Sequence, residues 1–68
     1  KDKSSVSELS KCLAEELELV RGHAAWALGQ IGGPNALNIL NEASVHETAE
    51  WVLEEINLAI NQINTSIE

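Results

Sequence analysis

Phenylalanine and tyrosine are absent, and the two tryptophans, Trp26 and Trp51, are the whole aromatic content of the chain. An interior with so few rings must be filled by Leu, Ile, Val and Ala, a composition that suits stacked helices better than a sheet. A single cysteine, Cys12, excludes an internal disulfide. No run of ~18 apolar residues, the length a membrane span needs, occurs in the sequence. Nor does a charged-then-apolar leader. The expectation is a soluble chain of a reducing compartment, cytoplasmic and without a membrane partner. Basic residues are also scarce: four Lys and Arg stand against eleven Asp and Glu, a net charge of −7. Such a surface repels a phosphate backbone, so an independent nucleic-acid clamp is excluded and the acidity is read as a solvated face. Missing too are a phosphate loop, a nucleophile with its base and a paired-carboxylate cleft. The fragment itself is expected to be no enzyme and to hold no cofactor or metal.

What is present begins with residues 20–33, V-R-G-H-A-A-W-A-L-G-Q-I-G-G. At 100° per residue, Val20, Ala24, Ala27, Leu28 and Ile31 form an apolar stripe, while Gly22, Ala25 and Gly29 form a face with almost no side chain. Each interior glycine costs a helix roughly 1 kcal/mol relative to alanine, which a close helix contact has to offset. A shift of 32 residues places Val52 on Val20, Ile56 on Ala24, Ala59 on Ala27, Ile60 on Leu28 and Ile63 on Ile31. Val6, Leu9 and Leu13 similarly echo Ala36, Ile39 and Ala43. A helix pair present twice at a period near 30 is the pattern of an α-solenoid. The predicted fold is all-α, two helix pairs in four helices. Its predicted core is Val20, Ala24, Leu28, Ile31, Val52, Ile56, Ala59 and Ile60.

Local signals set the boundaries. Ser5-x-x-Glu8 has the form of a capping box, which predicts a first helix from Ser5 to about Glu15. The second runs from Glu18 to Ile31 and stops at Gly32-Gly33. Pro34 suits the first turn of a third helix ending near Ala43, with Ala36, Ile39, Leu40 and Ala43 inward. Ser44-x-x-Glu47, or Thr48 as cap, is expected to open a fourth helix that ends about Asn64. On that last helix Glu54, Asn57 and Asn61 stand where the second has Gly22, Ala25 and Gly29. Terminal solenoid repeats need a polar outer face, so the last helix is expected to be a C-terminal cap. Residues 1–68 are accordingly expected to be one repeat domain, the C-terminal fragment of a larger protein.

The string V-R-x-x-A-A-x-A-L-G-x-I-G with a following proline resembles the HEAT-like repeat of the type also found in phycobilin lyases. Residues 20–29, together with E-E-I-x-x-A-I at 54–60, resemble the C-terminal repeat segment of epoxyqueuosine reductases. That resemblance implies a non-catalytic binding or scaffolding tail on an oxidoreductase of queuosine tRNA modification, an iron-sulfur enzyme using cobalamin and two 4Fe-4S clusters. The implied partners are the parent's catalytic domains, with tRNA only in the full-length context. The alternative is a generic protein-protein interaction solenoid fragment from an unrelated repeat protein, such as a phycobilin lyase-type subunit. Cluster binding needs cysteines at short fixed spacing, and Cys12 stands alone. Leu53 also replaces the basic residue that would match Arg21.

Arg21, His23 and Trp26 are the candidate site residues, as contacts to tRNA or to another domain. Against this, Arg21 can bond an acidic neighbour from the adjacent helix pair and order the turn between repeats, the reading favoured for a long helical cation. His23 is read as a partly buried packing residue. Trp26 and Trp51, at similar angular positions, are read as core ahead of a stacking surface. His46-Glu47-Thr48-Ala49-Glu50 approaches the zinc-protease pattern, but Glu50 stands where the second imidazole is required, and Glu47 is read as a capping residue. Asn64-Thr65-Ser66 matches a glycosylation sequon by chance.

Overall fold

In a computed structural model, which describes residues 3–15 and 17–67, the chain forms four helices: α1 (Lys3–Cys12), α2 (Glu18–Ile31), α3 (Gly33–His46) and α4 (Glu50–Ile67). No strand occurs among the described residues. Helices α1 and α2 form one pair, α3 and α4 a second. The largest interface is between α2 and α4. These two run in the same direction, since Gly22 lies against Trp51 and Gly29 against Ala59, with Gln30 beside Gln62. Equivalent helices of successive pairs thus stack in parallel, which is the arrangement of a short α-solenoid.

The reach of α2 is as its sequence implies. Gly32 closes it at φ 74°, ψ −169°, donating its N–H to the Leu28 carbonyl at 2.9 Å, and Gly33 follows at φ 89°. Two successive positive φ values at glycine reverse the chain within one residue, and Pro34 occupies the first turn of α3, where its missing N–H costs nothing. Other boundaries differ from expectation. Helix α1 starts at Lys3, so Ser5 lies inside it rather than at its cap; the Ser5 side chain is outside the described ones. It leaves the α-helical pattern at Cys12 and tightens, Ala14 and Glu15 donating to the carbonyls three residues back. Helix α3 continues past Ala43 to His46, and Ser44, now inside it, donates to the Asn41 carbonyl instead of capping α4. Helix α4 opens at Glu50 and reaches Ile67, beyond Asn64.

Leu28, Leu40, Val52, Ile56 and Ile63 are the large side chains fully removed from solvent, with Ala24, Ala25, Ala36 and Ala59 between them. Each of the large ones contributes about 1.5–3 kcal/mol by burial. Val20, Ile31 and Ile60, expected in this core, are half-buried. The centre lies instead under the small face of α2, where α4 comes closest. A Cβ on Gly29 would sit 2.8 Å from the Ala59 Cβ and 3.0 Å from its Cα, inside any normal carbon contact. Across α4 from this contact, Glu54, Asn57 and Asn61 are exposed. The positions equivalent to those by which α2 packs on α4 are thus polar and exposed on α4.

Candidate functional site

The first turn of α2 carries Arg21 beside the two turns that flank it. Its Nε donates to Glu47 Oε1 and its Nη2 to Oε2, both at 2.9 Å, a bidentate pair in which the side chains keep 15% and 4% of their exposure. Nη1 reaches back to the Glu15 carbonyl at 2.8 Å. Glu47 in turn accepts the Ala49 N–H at 3.0 Å ahead of α4. One guanidinium thus ties the α1–α2 turn to the α3–α4 turn, and its planar fork matches the carboxylate. The hydrogen bond from Arg21 holds the Glu47 carboxyl below the usual glutamate range, against a smaller opposing effect of burial, with the Ala49 amide adding to the lowering. The same bond raises the Arg21 guanidinium, which stays charged throughout.

Of the two roles open to Arg21 in the sequence, the structure displays the acidic neighbour from the second helix pair. An incoming phosphate would have to compete with that pair. A cleft of about 640 Å³ beside it is lined by Ser10, Glu15, Arg21, Glu42, His46 and Glu47 among others, so its cation already faces carboxylates. The near zinc-protease string does not lie on one helix: His46 ends α3, Glu50 begins α4, and Glu47 is committed to Arg21. Among the described residues no three His, Cys, Asp or Glu side chains converge as metal ligands, and no helix is long and apolar enough to cross a membrane.

The other candidates face solvent. Trp26 is 58% exposed and Trp51 41%, so neither is core, and His23 is exposed rather than partly buried. Around Gly29 the approach of α2 to the Ala59 backbone of α4 leaves no gap for a ring. The Trp51 indole instead lies across Gly22, where an added Cβ would meet its Cζ3 at 2.5 Å. Its Nε1 donates to Glu18 Oε1 at 2.6 Å. Trp26 and Trp51 together bound a cleft of about 380 Å³ lined by Leu19, Gly22, His23, Trp26, Trp51 and Glu55. A second, of about 270 Å³, continues along α4 between Trp26, Glu55, Leu58, Ala59 and Gln62. Leu19 and Leu58, 65% and 61% exposed, extend this apolar strip. Sequence reasoning missed Glu18, Leu19 and Glu55 as its members. The available signal was the paired tryptophans next to a glycine face, which becomes a surface only once the α2–α4 register is known.

Residues 1–61 match the family of HEAT repeats, and the chain belongs to it. Such repeats are scaffolds that generally mediate protein–protein interaction and are not typically catalytic. The chain is also 36% identical over 64 residues to an uncharacterized protein in the gldA 3' region of Geobacillus stearothermophilus, a match covering 93% of this chain and 30% of that protein. It therefore spans less than a third of the relative's length. No solved structure matches the chain significantly.

Proposed function

We propose that this HEAT repeat chain is the non-catalytic C-terminal module of an epoxyqueuosine reductase, a cytoplasmic enzyme of queuosine tRNA modification, and that it braces the catalytic domains of that enzyme. The observation carrying this reading is the run of residues 20–29 combined with 54–60, whose pattern resembles that enzyme's repeat segment. The stapled turns at Arg21 and Glu47 support a rigid bracing role, because a bidentate pair across two turns fixes one helix pair against the next. Cobalamin and two 4Fe-4S clusters would belong to the rest of the protein and supply its redox chemistry. The residues present here do not fit a 4Fe-4S cluster, since Cys12 is the single cysteine of the chain. In the full-length setting tRNA would be held mainly by basic surface elsewhere, as the net charge of −7 opposes phosphate.

Deleting the gene and digesting bulk tRNA for mass spectrometry of its nucleosides tests the assignment. The expected result is epoxyqueuosine accumulating at the expense of queuosine. Unchanged queuosine refutes the reductase reading and favours a protein-interaction solenoid of another kind, to which the exposed strip of Leu19, Trp26, Trp51 and Leu58 also lends itself.

A further inference from the structure

We propose that the strip between α2 and α4 is a receptor for a basic, extended protein segment, its arginine or lysine side chains entering the two clefts that share Trp26 and Glu55. The first cleft combines indole from Trp26 and Trp51 with the Glu55 carboxylate, and Glu18 stands at the Trp51 nitrogen. A cation over an indole face is attracted by the ring quadrupole, and a carboxylate in the same cleft supplies the opposite charge. Apolar wall from Leu19, and from Leu58 in the second cleft, suits the methylene stem of such a side chain. The Trp51 indole donates to Glu18 at 2.6 Å and rests across Gly22, so this wall is in place before a ligand arrives.

Charge decides the class of partner. The chain carries −7, and the carboxylates of Glu18 and Glu55 flank the aromatic surface, which attracts a cationic peptide and repels a nucleic acid that would otherwise stack on the same rings. Geometry adds the spacing. On α4 the midpoints of the two linings, residues 51–55 and 55–62, lie five to six residues apart, or about 8 Å at the helical rise. A polyproline II segment advances about 9 Å in three residues and returns its side chain to the same face. The recognised pattern is therefore two basic residues three apart in an extended segment. This inference is independent of the reductase assignment.

Both tryptophans of the chain lie at the site, and no tyrosine is present, so intrinsic fluorescence reports binding directly. The probe is the peptide Gly-Ser-Pro-Arg-Pro-Pro-Arg-Pro-Ser-Gly, compared with the same peptide carrying glutamate at both arginine positions and with a twelve-nucleotide polyuridine. The arginine peptide should give a saturable change with a Kd of roughly 100 µM or tighter. The glutamate peptide and the oligonucleotide should give none. Trp26→Ala and Glu55→Gln should each weaken binding fivefold or more while leaving the helical circular dichroism and melting temperature near the parent's. Trp26 is largely exposed and its loss leaves the packed face intact. The proposal is overturned by no saturable change up to about 1 mM peptide, by unaltered affinity in both variants, or by polyuridine binding as tightly as the arginine peptide.

Discussion

Replacing Gly29 with alanine sets two opposing effects against each other at the closest point of the molecule. Removing a glycine from a helix interior favours folding by about 1 kcal/mol. The new Cβ, however, would lie 2.8 Å from the Ala59 Cβ and 3.0 Å from its Cα, where carbon contacts are normally 3.5–4.0 Å. The second of these atoms is backbone and cannot rotate away, so α2 and α4 must separate. Overpacking by a methyl group costs about 1–3 kcal/mol, which leaves a net loss centred near 1 kcal/mol. For a chain of this size, whose whole stability is about 3–10 kcal/mol, the melting temperature should fall by roughly 4–8 °C. Gly22→Ala provides the internal comparison. Its Cβ would come still closer, 2.5 Å from the Trp51 Cζ3, but that atom is the far end of a partly exposed indole that can swing aside for the loss of one hydrogen bond to Glu18. Its net effect should be near zero. Thermal melts followed by circular dichroism distinguish the two. Combining Gly29→Ala with Ala59→Gly should recover part of the loss as a positive coupling. A Gly29→Ala variant as stable as the parent, or more so, refutes the assignment of this contact as the limit of helix approach.

Four further outcomes follow from the geometry and the charge of the chain. Glu47→Ala should lower the melting temperature more than Glu54→Ala, because the first strands Arg21 and the Ala49 amide while the second changes an exposed face; equal losses would show that the inter-turn pair is not structural. Since the folded Glu47 carboxyl titrates below its unfolded value, its stabilisation is present above the usual glutamate value of about 4.3 and disappears as pH falls through the folded value. Melting temperature against pH should show the parent's advantage over Glu47→Gln shrinking only below about pH 4.3, and an advantage that persists at lower pH contradicts this. Gly32→Ala should destabilise by about 1–3 kcal/mol in chemical denaturation although nothing lies within 4 Å of the added Cβ, since φ 74° with ψ −169° is a region open to glycine alone; a neutral result rejects backbone strain as the reason for glycine there. The 68-residue chain should show negligible tRNA affinity at physiological salt by fluorescence polarisation, and micromolar binding would overturn the charge argument.

The extent of α2 was legible because its stop signal is redundant: two glycines that accept positive φ, then a proline that can only begin another helix. The α3–α4 boundary was harder to read, since Ser44, Glu47 and Thr48 are all competent caps, and which one acts depends on the long-range pull of Arg21 on Glu47, 26 residues away. Arg21 was legible as a candidate and so was the type of its acidic partner, but no periodicity names the residue on the other side of an interface. The core shows the same limit. Hydrophobic periodicity identifies the apolar stripe of α2, whereas what is most deeply buried is set by how closely the next helix approaches. Alanine and glycine at 22, 25 and 29 admit α4 so closely that Val20 and Ile31, larger but to one side, remain half-buried. The tryptophans follow from this directly. At Gly29 a single methyl group would already overfill the gap, so no ring fits there; the Trp51 indole lies across Gly22 at the other end of the interface with its rim exposed, and Trp26 stays on the surface. Their exposure is thus a consequence of the packing, and it leaves Trp26 and Trp51 beside Glu18 and Glu55, where a cationic side chain finds both a ring face and a countercharge.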